Sequence, residues 1–323
     1  MLMTKINLPR VPLAHLPTNI EPLERISAHL GGPSIWIKRD DATGLAFGGN
    51  KTRKLEYLLA DAESKGAKTV LTRGAVQSNH CRQTAAAAAR RGLDCILVLG
   101  GVAPEQITAN LLLDRLLGAE IHWVEEGDPE TLLAQLFEQA QEENRHPYLV
   151  PYGGSNPLGA AAYAAAMGEM IEQKIEFDRI IFATSSGGTQ AGMIVGADLY
   201  QFSGIIQGIS VDKRAVELRA HLAPLAMETA KFLGHRLSTQ PDEIVVEDGY
   251  LGGGYAIMSN VEKEAINLFA RQEGILLDPV YTGRAAGGMI DLIKQGKIPP
   301  DERILFWHTG GTPALFAYGN ELV

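Results

Sequence analysis

Residues 67–99 read AKTVLTRGAVQSNHCRQTAAAAARRGLDCILVL. The run 67–72 has the length and Val/Leu/Thr content of a buried strand. Residues 74–80 carry the turn signals of a loop, 82–90 an alanine-rich helix, and 95–99 a second apolar strand. Strand, loop, helix and strand in that order form a right-handed βαβ unit with its strands parallel. Ligands of open α/β sheets bind outside the carboxyl ends of the strands. Ser78-Asn79-His80 falls at such an end and opens the following helix. Its hydroxyl and amide suit a substrate carboxylate or a phenolate oxygen, and an ordinary N-cap accounts for the same residues equally well.

The alternation continues on both sides. Downstream, 107–117 and 129–143 have helical spacing, while 121–124 and 148–151 read as strands. Gly153-Gly154-Ser155-Asn156-Pro157 marks a boundary, and a second alanine-rich helix covers 158–171. A strand at 179–183 leads through a glycine-rich turn into a helix to about residue 199, and 205–211 is another strand. Residues 213–240, 261–273 and 285–295 are helical, 244–246 and 275–279 extended, 249–255 a glycine-rich loop. The last strand, 304–308, runs into Thr309-Gly310-Gly311-Thr312. Upstream, Leu23, Ile26 and Leu30 outline a short helix ended by Gly31-Gly32-Pro33, before a strand at 35–38. Asp40 and Asp41 follow that strand; without further ligands at metal spacing they are expected to cap turns and pair with arginine.

The chain has 323 residues, 46% of them hydrophobic, enough for a large core and two domains or subdomains. A formal charge of −9 argues against nucleic-acid binding. No uncharged apolar run approaches the ~18 residues of a membrane span. Residues 1–10 lack a signal-peptide core, and Cys81 and Cys95 make neither a disulfide framework nor a metal cluster. A cytoplasmic location without metal, membrane or nucleic-acid partner is expected.

Upstream of the βαβ unit stands Gly48-Gly49-Asn50-Lys51-Thr52-Arg53-Lys54-Leu55-Glu56. Leu55, Leu58 and Leu59 give this segment a buried helical face, and Asn50 is expected to cap it. Lys51 then sits in the first turn, where the helix dipole favours anions and lowers an amine's pKa. A neutral amine is a nucleophile, so Lys51 is a candidate Schiff-base lysine; a solvated lysine beside a glycine turn is the blander reading. Ser185-Ser186-Gly187-Gly188-Thr189 follows a strand and opens a helix, offering bare N–H groups, hydroxyls and a dipole to a single phosphate. It lacks the nucleoside-triphosphate and dinucleotide patterns, and a tight turn is its simpler explanation. Tyr255, Tyr281, His308 and Thr309 are weak signals individually. Lys51, Ser78, Ser186 and Thr309 all fall at strand ends or helix starts, so a phosphorylated aldehyde, pyridoxal phosphate, is the cofactor they suggest together.

The segments GGNKTRKLEYLLADA (48–62), GAVQSNHCRQTAAAAA (74–89), GGSNPLGA (153–160), SSGGTQAG (185–192), GILLDPVYTG (274–283) and ILFWHTGGTPALFAY (304–318) resemble the D-cysteine desulfhydrase and 1-aminocyclopropane-1-carboxylate deaminase family. The resemblance covers nearly the whole chain. It implies an α/β chain with two open, twisted, mostly parallel sheets flanked by helices, the type II pyridoxal-phosphate fold typified by tryptophan synthase β. Residues 1–53 and 156–323 are expected to form a large cofactor-binding domain with 54–155 inserted as a small one, the cofactor in the cleft between them. The family pattern places the cofactor on Lys51 rather than Lys54, with Asn50, Asn79, the 185–189 loop and Thr309 as further cofactor contacts. Asn79 stands beside the phenolic oxygen and Thr309 at the pyridine nitrogen in that pattern. Ser78, Tyr281 and Tyr255 are the expected acid/base groups. Ser78, Asn79, His80, Gly154, Tyr255 and Tyr281 are the expected substrate contacts.

Within the resemblance, deaminases carry Glu after the tyrosine and Leu after the histidine where this chain has Thr282 and Thr309. That favours the desulfhydrase branch: β-elimination from D-cysteine to pyruvate, hydrogen sulfide and ammonia in a homodimer. L-Cysteate sulfo-lyase is the alternative. Cyclopropane ring opening, or a non-catalytic pyridoxal-phosphate-binding protein, ranks below both.

Overall fold

The computed structural model describes residues 6–322. A short strand β1 (Ile20–Pro22) precedes α1 (Glu24–Leu30), which Gly31 ends in a left-handed conformation at φ 61°. Then come β2 (Ser34–Arg39) and α2 (Asn50–Ser64). The opening βαβ unit is β3 (Thr69–Ala75), α3 (Asn79–Arg91) and β4 (Asp94–Gly100). Next follow α4 (Ala109–Leu116), β5 (Glu120–Val124), α5 (Pro129–Glu142), β6 (Pro147–Leu149) and α6 (Pro157–Glu172). After these stand β7 (Arg179–Thr184), α7 (Gly188–Leu199), β8 (Ile205–Ser210), α8 (Ala215–Phe232) and β9 (Val245–Glu247). The chain closes with α9 (Asn260–Glu273), α10 (Thr282–Lys294), β10 (Arg303–His308) and α11 (Gly319–Leu322).

Two sheets result. β5-β4-β3-β6 is wholly parallel. β1-β2-β10-β7-β8-β9 is parallel except for β1 on its edge. β10, last in sequence, runs between β2 and β7, so strands from before and after the four-stranded sheet complete the six-stranded one. The boundary expected between residues 53 and 54 falls inside α2, whose Leu55, Leu58 and Leu59 pack with Val70, Leu97 and Leu99 of the smaller sheet.

Strand side chains alternate between two buried faces. In β10, Ile304 and Phe306 pack with Phe269 and Met289 of α9 and α10, while Leu305 and Trp307 pack with Tyr163, Met167 and Met193 of α6 and α7. Small residues let α6 and α7 approach closely: a Cβ on Gly192 would lie 2.0 Å from Ala160 O. A buried ion network ties α2 to β2 and α6. Arg53 donates to Asp40 at 2.8 and 2.9 Å and to Glu169 at 2.8 and 2.9 Å, and Lys38 reaches Glu169 at 2.6 Å. Asp41 pairs with Arg39 at 2.8 Å, so both acids after β2 take the arginine partners expected of them. Among the described residues no helix is long and apolar enough to cross a membrane.

Candidate active site

The Lys51 segment owes its shape to contacts that no side chain tolerates. A Cβ on Gly48 would lie 2.2 Å from Asp41 O, and one on Gly49, at φ 127°, would lie 2.6 Å from Gln83 Nε2. Asn50 N donates to Thr309 O at 2.9 Å, fastening the start of α2 to the end of β10. Asn50 does not cap the helix as expected. The N-cap position is Gly49, which has no side chain, and the N–H of Thr52 is satisfied by Gln83 Oε1 of α3 at 2.8 Å. That leaves the Asn50 amide to donate to Thr189 Oγ1 at 3.2 Å, across to the start of α7.

Lys51 projects from the first helical turn and its Nζ donates to Gly153 O at 3.2 Å. Burial lowers its pKa to about 8, so a substantial neutral fraction exists near physiological pH. The shift comes from desolvation, where the dipole argument pointed in the same direction. Lys54 Nζ reaches the same carbonyl at 3.1 Å but lies behind the cleft wall, 1% exposed; burial and the charge of Lys51 push its pKa well down.

The turn after β7 leads into α7 through Gly187 at φ 87°, an N-cap residue with no side chain of its own to cap the helix. The Gly188 N–H donates to Ser155 Oγ at 3.1 Å, and the Ser155 and Ser186 hydroxyls lie 2.8 Å apart. Ser185 is turned aside, donating to Asp212 Oδ2 at 2.9 Å. A Cβ on Gly188 would lie 2.7 Å from Ser155 Oγ, and one on Gly153 2.4 Å from Ser186 Oγ. Close backbone packing, a helix start with glycine at its N-cap and hydroxyls beside it are what an anion cradle needs.

Ser78 caps α3 by accepting from Cys81 N at 3.2 Å. His80 Nε2 lies 2.8 Å from Thr72 Oγ1. The Thr72 hydroxyl gives its proton to Val150 O at 2.9 Å, so Nε2 must be the donor and His80 Nδ1 is bare. Burial and the two lysines hold His80 neutral. On the opposite wall the Tyr255 and Tyr281 hydroxyls are 2.7 Å apart. Asp278 sets Tyr281 by accepting from Val280, Tyr281 and Thr282 N–H groups at 3.0, 2.9 and 2.7 Å. The Thr282 hydroxyl is spent on Asp278 as well, donating to Oδ1 at 2.7 Å. Arg284 holds the loop around Tyr255 through Gly254 O and Ile257 O at 3.1 and 2.8 Å.

These residues meet in one cleft between the strand-end loops of the two sheets. Asn50, Lys51, Ser78, Asn79, His80, Ser185, Ser186, Gly187, Thr189, Tyr255, Tyr281 and Thr309, all singled out from sequence, line it together. Gly188 does not line it. Neither does Gly154, whose Cα faces Lys54 and Leu58 of α2. Tyr152, Gly153, Thr184 and Gly310 also line it and were not foreseen; Gly153 is the first of the glycines that had marked only a boundary, and Tyr152 precedes it. Among the described residues no group of His, Cys, Asp or Glu is placed to hold a metal.

A family model described as pyridoxal-phosphate dependent enzyme matches residues 11–310. A D-cysteine desulfhydrase of Yersinia enterocolitica is 43% identical over 96% of both chains. A protein of Pyrococcus horikoshii, provisionally named 1-aminocyclopropane-1-carboxylate deaminase, is 41% identical over 98% of this chain and 95% of its own. A crystal structure described as a homologue of that deaminase superposes with a TM-score of 0.91 at 40% identity, covering 98% of this chain and 96% of the other.

Proposed function

The chain belongs to the pyridoxal-phosphate dependent enzymes, and we propose that it is a carbon–sulfur lyase converting D-cysteine to pyruvate, hydrogen sulfide and ammonia. That it is a pyridoxal-phosphate-dependent lyase of the D-cysteine desulfhydrase and 1-aminocyclopropane-1-carboxylate deaminase group follows from its relatives. The residues present fit the cofactor. A helix start with glycine at its N-cap and close-packed glycines around it suits a phosphate, and Lys51 is the amine that lines the cleft. In this reading the 185–189 loop with Asn50 holds the phosphate end, Asn79 the phenolic oxygen, and Thr309 the pyridine nitrogen.

The bound cofactor supplies an electron sink for charge developing at the substrate Cα. The protein's share is proton handling and orientation. Lys51, with its lowered pKa, removes the Cα proton. The α3 start, with Ser78, Asn79 and His80, orients the substrate carboxylate. Tyr255 and Tyr281, both held protonated by burial, have hydroxyl protons to share with the departing thiolate.

The lining of the cleft carries the choice of substrate. Among the described residues it contains no carboxylate, and Lys51 is its only formally charged group, because His80 is held neutral. A neutral thiol substituent fits such walls, whereas the sulfonate of L-cysteate meets no spare cation. The Thr282 hydroxyl, bound to Asp278, offers no acid group of the kind that marks the ring-opening relatives. Purified holoenzyme given D-cysteine is expected to release hydrogen sulfide and pyruvate in equal amounts. Sulfite from L-cysteate, or 2-oxobutanoate from the cyclopropane amino acid, without sulfide from D-cysteine, overturns the assignment. A homodimer accompanies this reading, and light scattering of the purified protein tests it.

A further inference from the structure

Asn110, in the first turn of α4, is fully buried and does not line the cleft, but it hydrogen-bonds to Asn79, which does. Its Nδ2 group donates to two oxygens at 2.9 Å each, Gln77 O and Asn79 Oδ1. Its main-chain N–H donates to Gln77 Oε1 at 2.9 Å, and Gln77 Nε2 donates in turn to Thr108 O at 3.2 Å. Ala109 next to it holds φ at 52°, a conformation side chains avoid, so local strain is accepted to keep Asn110 here.

Backbone anchors make these amide orientations unambiguous. Gln77 O can only accept, so the Asn110 group facing it is the NH2 end. Turning Asn110 over would set its oxygen against the Gln77 carbonyl oxygen. As placed, its Oδ1 has no partner, and both its donor protons are used. The group that Asn79 presents to Asn110 is therefore its carbonyl. The Asn79 NH2 makes no hydrogen bond among the described residues, and Asn79 lines the cleft.

We propose that Asn110 is a positioning residue that locks the Asn79 amide with its NH2 toward the cleft, making Asn79 an obligate donor to the cofactor's phenolic oxygen. The proposal rests on the cofactor placement given above. A free asparagine presents either end to a ligand. An asparagine whose oxygen is tied down presents only its donor, and a donor at that oxygen stabilises its negative charge.

Asn110→Asp tests this with little change of shape. An ionised carboxylate donates nothing, and a protonated one has a single proton where Asn110 uses two, so Gln77 O and Asn79 Oδ1 are no longer both held and Asn79 is released to turn its carbonyl toward the cleft. In the holoenzyme we expect cofactor binding to weaken about 10-fold and the pH midpoint of the cofactor's visible absorption band to rise by about one pH unit. Asn110→Ala leaves Asn79 free to rotate and is expected to move the midpoint part of the way. Gln77→Ala removes the partners of Asn110 N and Thr108 O but spares the contact to Asn79, so it is expected to lower the melting temperature without moving the midpoint. Unchanged affinity and midpoint in both Asn110 variants overturn the proposal, as does a Gln77→Ala midpoint that moves as far as that of Asn110→Asp. A wild-type chain that develops no visible band with pyridoxal phosphate overturns the cofactor placement and this inference with it.

Discussion

Lys51 and Lys54 direct their side-chain nitrogens at one atom, the carbonyl oxygen of Gly153, from 3.2 and 3.1 Å. They lie one helical turn apart, and neither forms an ion pair among the described residues. Only Lys51 lines the cleft. Borohydride reduction of the holoenzyme is therefore expected to label Lys51 alone, read by peptide mapping. Lys54→Met, close in length, is expected to keep the visible absorption band, and Lys51→Met to lose it. Label on Lys54 in the wild type overturns the assignment.

Desolvation of Lys51 has a consequence for stability without cofactor. Its pKa is about 8 in the folded chain against 10.5 unfolded. Between those values the unfolded chain holds more protons than the folded one, so stability rises with pH across the window. Below pH 8 the penalty is fully present, on the order of 3 kcal/mol at most. In the apoenzyme, Lys51→Met is expected to be more stable than wild type at pH 7, with the gap closing as pH rises toward 10.5. Urea unfolding at several pH values measures it, and a gap independent of pH contradicts the lowered pKa.

The tyrosine pair gives a kinetic test. Both hydroxyls stay protonated, because burial raises both pKa values. Tyr281, held by the Asp278 turn, is the better fixed donor. Tyr281→Phe is expected to lower kcat on D-cysteine by about 100-fold, the low end for a lost acid/base group. KM should change little, because the carboxylate contacts lie on the other wall. Tyr255→Phe keeps the Tyr281 hydroxyl in place and should cost less. Equal rates for Tyr281→Phe and wild type remove it from proton transfer.

How these residues could be found differs from one to the next. Lys51, the 185–189 turn and Ser78 were legible because each sits at a strand end or helix start, which periodicity and glycine spacing reveal locally. The family motif then chose Lys51 over Lys54, and of the two Lys51 is the one that lines the cleft. The partners that set these groups were not legible. Gln83 caps α2 from 31 positions away, Asn110 reaches Asn79 over 31, and Ser155 meets Ser186 over 31. Nothing in a one-chain pattern signals such bonds, because they depend on where two sheets place their connecting loops. The Asn50 cap failed for that reason: the local rule holds only while no distant side chain offers a better acceptor. Gly154 was near the right place, but its one missing side chain serves packing against α2 rather than the cleft.

Asp114 offers the last test. It lies on α4, one turn beyond Asn110, fully buried, and neither carboxylate oxygen has a hydrogen-bond partner. Burial raises its pKa to about 8 from 3.8 against the attraction of Arg82, whose guanidinium donates instead to Ala46 O and Gly48 O. The folded chain therefore holds a proton that the unfolded chain loses. Between pH ~4 and ~8 the folded state binds more protons, so this group makes stability fall as pH rises. Asp114→Asn keeps the shape and is neutral at every pH. Its stability relative to wild type is expected to be near zero at pH 4 and below, and to grow to a few kcal/mol, about 2–5, by pH 8. The cofactor's absorption should be unchanged, since Asp114 bonds to none of Asn79, Asn110 and Gln77. Chemical denaturation at pH 5 and pH 8 reads the difference directly. A variant that is destabilised equally at both values shows that the carboxyl is ionised and paired in solution, and sets aside the buried neutral acid.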